Sequence, residues 1–170
     1  MVLLNEEQIK RAINLLIKND VIILPTDTIY GLSARAITDN QNKINNMKKS
    51  ELNKPLIILV ANVEQAKRFI DLTKEANDLL NSKEPTTVIS KLKDSQTTYA
   101  IRLVKRDDIK EIITKVGPIY STSVNISDEP HLKNKKDLEE FIDMDHCFFT
   151  ENLENSPSNI VDLILNKKKR

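Results

Sequence analysis

The sequence predicts an α/β fold in which helices flank a mixed parallel and antiparallel sheet. Amphipathic helical segments alternate with short β-rich apolar runs along the whole chain, a pattern in which helices pack on a sheet. Strand-like runs also follow one another directly within 86–104 and again near the C-terminus, which requires antiparallel neighbours beside the parallel ones. Polar loops come straight after the apolar runs at 21–24 and 117–120, and α/β folds carry their ligands on such loops.

The elements follow in order. Asn5 and Gln8 have the spacing of a capping box, and Ile9, Ala12, Ile13, Leu16 and Ile17 recur at the helical period, so residues 6–18 are predicted helical. Residues 21–25 form a buried strand, β-rich and stopped by Pro25. Asp39 is expected to cap a short helix running to Lys49, with Ile44 and Met47 facing inward, before a strand at 56–60. Short helices are predicted near 63–70 and 74–81. Strands at 86–91 and 98–104 are joined through a turn at Asp94-Ser95-Gln96, and a helix over 107–116 closes on Gly117 as its C-terminal cap. A strand at 118–122, a helix at 134–142 and two last strands at 146–150 and 159–165 complete the pattern. Lys167-Lys168-Lys169-Arg170 is expected to be a solvated tail. With no repeat, linker or low-complexity segment, residues 1–170 are expected to form a single domain, large enough to bury roughly 70% of its unfolded surface.

Composition removes several function classes. Lys and Arg total 26 against 25 Asp and Glu, for a formal charge of +1, so a globally basic nucleic-acid coat is absent and only local patches remain. Trp is missing and aromatics are 4%, which leaves Ile, Leu and Val to build the core. Cys147 is the only cysteine, so neither an internal disulfide nor a cysteine metal cluster can form. No apolar run approaches the roughly 18 residues of a membrane span, and a cytoplasmic location with no membrane partner is expected. Gly31 and Gly117 are the only glycines, which excludes a Walker loop and a dinucleotide fingerprint. Phosphate would have to be held by Lys, Arg, hydroxyls or amides at helix starts. His131 and His146 are too few for a histidine metal centre. His146 and Cys147 are adjacent but would face opposite sides of an extended strand, so they are not read as a catalytic dyad. Glu139 and Glu140 are read as a solvated helix face.

The candidate site residues are Thr26, Asp27 and Thr28 after the first strand, Lys48, Arg102, the run Ser121-Thr122-Ser123 with Asn125, and Ser156-Pro157-Ser158-Asn159. Taken alone, the serine-rich run reads better as a turn whose side chains bond their own backbone than as a site. All of these segments recur at strand or helix ends, where one crevice could gather them.

In these segments the chain resembles the YrdC family of threonylcarbamoyl-adenylate synthases. Residues 25–32, Pro-Thr-Asp-Thr-Ile-Tyr-Gly-Leu, are similar to the family's Pro-Thr-(Asp/Glu)-Thr-Val-Tyr-Gly-Leu, and residues 121–130 are similar to its Ser-Thr-Ser-Ala-Asn-Leu-Ser-Gly-(Glu)-Pro with changes at Val124, Ile126 and Asp128. Lys48 leading to Lys54-Pro55-Leu56-Ile57, Tyr99-Ala100-Ile101-Arg102 and Ser158-Asn159-Ile160-Val161-Asp162 resemble three further family segments, in family order. Two places depart from it: Ser50 stands where the family has an arginine, and Lys83-Glu84-Pro85-Thr86-Thr87 replaces a Pro-Gly-Pro turn. Lys49 is the nearest substitute cation, without an arginine's bidentate fork.

The resemblance implies a YrdC-like twisted mixed sheet with a concave ligand-binding face. It implies a nucleotidyltransferase that converts L-threonine, bicarbonate and ATP to threonylcarbamoyl-AMP and pyrophosphate, with Mg²⁺ entering alongside ATP and no metal ligand set in the protein. By the same resemblance Thr26, Arg102 and Ser158 would bind L-threonine. Lys48, Thr98, Ser123 and Asn125 would bind ATP, with Lys48, Ser123 and Asn125 closest to the reaction, and Arg170 is a looser match to a nucleotide-contacting arginine. The product would pass to a threonylcarbamoyl transferase complex that modifies adenosine 37 of tRNA. The family's short single-domain form fits the length. The alternative is an RNA-binding YrdC-like module with weak or no synthase activity, in which Lys43, Lys48, Lys49 and Lys54 line a basic face. A carbamoyl-adenylate step for another acceptor, as in the related domain of hydrogenase-maturation proteins, is a third reading.

Overall fold

A computed structural model describes residues 1–170. In chain order the elements are α1 (Glu6–Ile17), β1 (Ile22–Leu24), β2 (Gly31–Arg35), α2 (Thr38–Met47), β3 (Ile57–Val60), α3 (Val63–Ala66), α4 (Lys74–Leu80), β4 (Thr86–Lys91), β5 (Thr98–Leu103), α5 (Asp107–Val116), β6 (Ile119–Ser123), α6 (Lys135–Phe141), β7 (Asn159–Asp162) and β8 (Lys167–Lys168). The strands form one sheet in the order β1-β2-β6-β3-β5-β4-β7-β8. β3 runs parallel to β5 and β4 to β7, while the other pairs are antiparallel, so the sheet is mixed as the sequence predicts.

Both faces of the sheet are covered, and the strands show it residue by residue. Ile22 and Leu24 belong to one apolar cluster and Ile23 to the other. On β3, Leu59 goes one way and Ile58 and Val60 the other, as the two-residue period of a strand demands. The first face is covered by α1 and α5 through Ala12, Leu16, Ile109, Ile112 and Ile113. The second is covered by α2, α3, α4 and α6 through Ile44, Ala66, Ala76, Leu80 and Leu138. Burial on both faces is why the strands read as unbroken apolar runs. α1 begins at the expected capping box: Asn5 Oδ1 accepts the Gln8 N–H at 2.8 Å, and Gln8 Oε1 accepts the Asn5 N–H at 2.9 Å. Gly117 ends α5 with φ at 87°, a backbone state that side chains with a Cβ avoid.

Four expectations are corrected. Asp39 does not cap α2; the helix starts one residue earlier, behind Ile37, with no side-chain cap. The polar segment after Pro25 does not stay a loop, because Gly31–Arg35 is a strand paired with both β1 and β6. Its Gly, Ser and Arg mask the strand signal, and only the neighbours on either side supply its ladder. Residues 146–150 do not form a strand: Met144–His146 is a 3-10 turn, and a single bridge joins Cys147 to Ile23. Here the Phe148 N–H donates to the Ile23 carbonyl at 3.0 Å and the pairing goes no further than that one bridge. Lys167–Arg170 is exposed as expected of a solvated tail but is not a free one, since Asp162 accepts the N–H groups of Ile164 and Leu165 and turns the chain so that Lys167–Lys168 pairs with β7.

The segment before α1 is also tied down. The buried Arg106 guanidinium pairs with Asp108 at 2.8 Å and donates to the Val2 carbonyl at 3.0 Å, while Asp108 accepts the Leu4 N–H at 2.8 Å.

Candidate active site

α1 and α5 cover only part of their face of the sheet. Alternation from the core residues places Gly31, Ile57, Thr87, Arg102, Ser121 and Ser123 on that face, where most of these positions carry a hydroxyl or no side chain at all. A cavity of about 340 Å³ opens over this uncovered stretch, across β2, β6, β3 and β5. Its walls come from the 26–30 loop, the 129–131 loop, Pro157-Ser158 and Arg170. Volumes near this size suit small polar ligands.

Arg102 dominates the electrostatics. It is 5% exposed, its Nε is buried with no hydrogen-bond partner, and no carboxylate pairs with it. Burial lowers its pKa to about 10, with the nearby Asp27 charge opposing the shift and Arg170 adding to it. A buried guanidinium is costly unless an anion meets it, and no anionic side chain pairs with this one, so it is free to take an anion. Arg170 reaches the same cavity. Its Nε donates to the Ser158 carbonyl at 2.8 Å, and burial lowers its pKa.

Lys48 sits at the C-terminal end of α2, just behind Ser123. Its Nζ donates to the Ser123 carbonyl and to Asn125 Oδ1, the latter at 2.9 Å. Burial first, then the charge of Lys54, lowers its pKa to about 8. Asn125 is the hub of this corner. Its Oδ1 accepts from Lys48 and from Ser123 Oγ, and its Nδ2 donates to the carbonyls of Ile126 and Glu129. All of the amide's bonding capacity is therefore used within the protein, and Asn125 positions Lys48, Ser123 and the 126–129 turn.

The hydroxyls differ in availability. Thr26 Oγ1 donates its single proton to the Ile29 carbonyl at 2.6 Å, so in its 3.1 Å contact with Thr28 the Thr28 hydroxyl must be the donor. Thr26 Oγ1 also accepts the Thr28 N–H at 3.1 Å, which leaves it nothing to offer a ligand in this arrangement. Ser158 Oγ is buried against Thr87 Oγ1 at 2.8 Å. Asp27 turns away from the cavity and accepts the backbone N–H groups of Lys105 and Arg106, where it caps the start of α5 from a distance.

The structure thus brings Thr26, Arg102, Ser123, Ser158 and Arg170 to one cavity, with Lys48 and Asn125 directly behind Ser123. Thr98 is not gathered there. It is exposed at the start of β5 opposite Lys91, four residues along the strand from Arg102, which is about 13 Å at strand rise. Cys147 is no nucleophile: burial, aided by Glu139, raises its thiol pKa to about 11, and His146 pairs with Asp20 at 3.1 Å instead. Glu129 and His131 line the cavity unanticipated. Glu129 falls at the glutamate of the family segment matched by 121–130, whereas the only signal for His131 in the sequence was its position just after that segment.

Gly31 is required by close approach. A Cβ there would lie 2.1 Å from Ser121 Oγ and 3.3 Å from Thr26 Cγ2. Gly31→Ala is expected to rotate the Ser121 hydroxyl and overpack the cavity floor, with a loss of about 1–3 kcal/mol in urea unfolding. An unchanged midpoint would show that Ser121 swings aside freely.

The Sua5/YciO/YrdC family model, described as "Telomere recombination", matches residues 14–170. A protein of Wigglesworthia glossinidia brevipalpis named threonylcarbamoyl-AMP synthase is 32% identical, with 75% of this chain aligned to 74% of that one. A Bacillus subtilis protein of the same name is 31% identical over 74% of this chain and 40% of its own. Among solved structures, Sua5 of P. abyssi aligns with a TM-score of 0.80 at 25% identity, over 94% of this chain and 54% of its own. The chain therefore spans about half the length of that protein, which has also been solved complexed with L-threonine.

Proposed function

The chain belongs to the Sua5/YciO/YrdC family, and on that premise we propose that it is an L-threonylcarbamoyladenylate synthase, a nucleotidyltransferase that joins L-threonine, bicarbonate and ATP. The observation that carries this reading is the unpartnered, buried Arg102 in a cavity that Ser123 also lines, with Lys48 directly behind Ser123. One cation awaits a carboxylate and the other lies near the place a phosphate would take. The names of the Wigglesworthia and Bacillus relatives support the same assignment.

Bound L-threonine would pair its carboxylate with Arg102, an interaction whose strength comes from the dry site. Carbamoylation of its amine gives a carbamate, whose oxygen attacks the α-phosphorus of ATP as the bond to pyrophosphate breaks. Such a reaction needs positioning and charge neutralisation more than a protein nucleophile, and the cavity offers cations and hydroxyls in keeping with that. No group of three or more His, Cys, Asp or Glu side chains is assembled to hold a metal, so Mg²⁺ would enter as part of the ATP complex, held by phosphates and water. The threonylcarbamoyl-AMP would be consumed by a transferase complex acting on adenosine 37 of tRNA, in the cytoplasm.

The RNA-binding reading has less support. Lys48 is 5% exposed and cannot form part of a surface patch, which leaves Lys43, Lys49 and Lys54 as the exposed lysines of that face.

The deciding assay is pyrophosphate release from ATP with Mg²⁺ and bicarbonate, with and without L-threonine and with L-serine as control. Threonine-dependent release together with threonylcarbamoyl-AMP by mass is the expected result; a folded protein that releases none refutes the reading. Lys48→Ala is expected to raise the ATP requirement about tenfold or more and to leave the threonine requirement nearly unchanged. Because the Lys48 pKa is lowered to about 8, its charge is present below that pH and lost above it. Affinity for ATP should therefore weaken as pH rises through 8, and the Lys48→Ala variant should lack that limb.

A further inference from the structure

We infer that His131 accepts the proton that L-threonine must lose before its amine can be carbamoylated, an inference that rests on the synthase reading. At neutral pH the amine is an ammonium with no free electron pair. His131 takes one proton from it; the nitrogen then bonds to the carbon of bicarbonate, the C–OH bond breaks, and the hydroxide leaves as water with a second proton from the nitrogen. The imidazolium afterwards returns its proton to solvent.

The cavity contains few groups able to do this. Tyr30 Oη is occupied, donating to the Glu151 carbonyl at 2.6 Å and accepting the N–H groups of Thr150 and Glu151. Arg102 and Arg170 are cations, and Lys48 already donates to Ser123 and Asn125. Glu129 is exposed on the rim, and histidine is the side chain that most often serves as a general base. That leaves His131, which lines the cavity and is engaged by no hydrogen bond or ion pair, whereas the chain's other histidine is paired with Asp20.

The backbone that carries His131 is pinned on both sides. On one side the Glu129 carbonyl accepts Asn125 Nδ2 at 2.9 Å, and on the other the Leu132 N–H donates to the Val124 carbonyl at 2.8 Å. The Ser127 N–H further ties the loop to the Lys48 carbonyl at 2.8 Å. Asn125 thus fixes the phosphate-side lysine and the base-bearing loop together. The charged groups that line the cavity with His131 are Glu129 on its own loop, Arg102 from β5 and Arg170 from beyond β8, and Lys48 at the end of α2 lies behind Ser123.

The test is threonylcarbamoyl-AMP formation by His131→Gln and His131→Ala across pH 6–9, with His146→Gln as control. At pH 7 both His131 variants should lose about 10²-fold in kcat/KM for threonine, with KM for ATP unchanged. The loss should shrink toward pH 9, where the amine deprotonates unaided, and added imidazole should partly restore His131→Ala. A loss that is equal at every pH and not rescued, or no loss, overturns the proton-acceptor role while the synthase reading stands. If the unaltered protein forms no threonylcarbamoyl-AMP, the synthase reading falls and this inference falls with it.

Discussion

Replacing Arg102 with Met is expected to abolish threonine recognition while making the protein more stable. In the free protein this guanidinium is nearly dry and its Nε has no partner, so folding bears its desolvation with only Asp27 and general polarity in return. A methionine of similar length fills the same space without the charge. Folding stability should rise by about 1–2 kcal/mol, as expected when a poorly compensated buried charge gives way to apolar packing. Loss of a desolvated partner for the carboxylate costs about 2–5 kcal/mol in binding, which corresponds to a rise in the threonine requirement from tens to thousands of fold. Urea unfolding and threonine titration check both halves. A fall in stability would mean that Asp27 fully compensates the charge, and an unchanged threonine requirement in folded protein would remove Arg102 from the site.

Breaking the Arg106–Asp108 pair should have the largest effect on folding. Both side chains are buried, and between them they hold Val2, Leu4 and the start of α5. Arg106→Ala would leave a buried carboxylate without its cation, which costs about 3–5 kcal/mol, much of the total stability of a domain this size. Burial by itself raises the Asp108 pKa, but the Arg106 bond, the Leu4 N–H, the Arg106 charge and the Ile109 N–H together bring it below the ordinary carboxylate range. A carboxyl whose pKa is lower folded than unfolded adds stability that is fully present above the unfolded value, near 4, and is lost as pH falls through the folded value. The protein should therefore lose stability below pH 4, and Asp108→Asn should be less stable at pH 7 and lose less on acidification. Parallel acid profiles for the two would count against the assignment.

Sequence and structure divide along physical lines. α1, β4 and α5 were legible because their information is local: a capping box, an unbroken β-branched run, and an apolar helical stripe ended by the glycine at 117. The site segments were legible from their motifs, and Arg102, Ser123 and Ser158 do reach one cavity. β2 escaped notice because its residues have weak strand preference and its ladder is supplied by β1 and β6. The predicted strand at 146–150 failed for the converse reason, an apolar run that finds only a one-residue bridge to Ile23.

The sequence by itself determined the α/β class, the family, and the residue types available for binding anions, since these depend on periodicity and motif. Tertiary structure alone decided which of those residues are free to act. Thr26 and Asn125 carry the right groups, yet their hydrogen bonds are spent inside the protein, while Arg102 and His131 are left unpartnered in the cavity. Whether a polar group is satisfied depends on neighbours far away in the chain. Thr87 reaches Ser158 across 71 residues and Lys48 reaches Asn125 across 77, distances over which a linear pattern carries no bond.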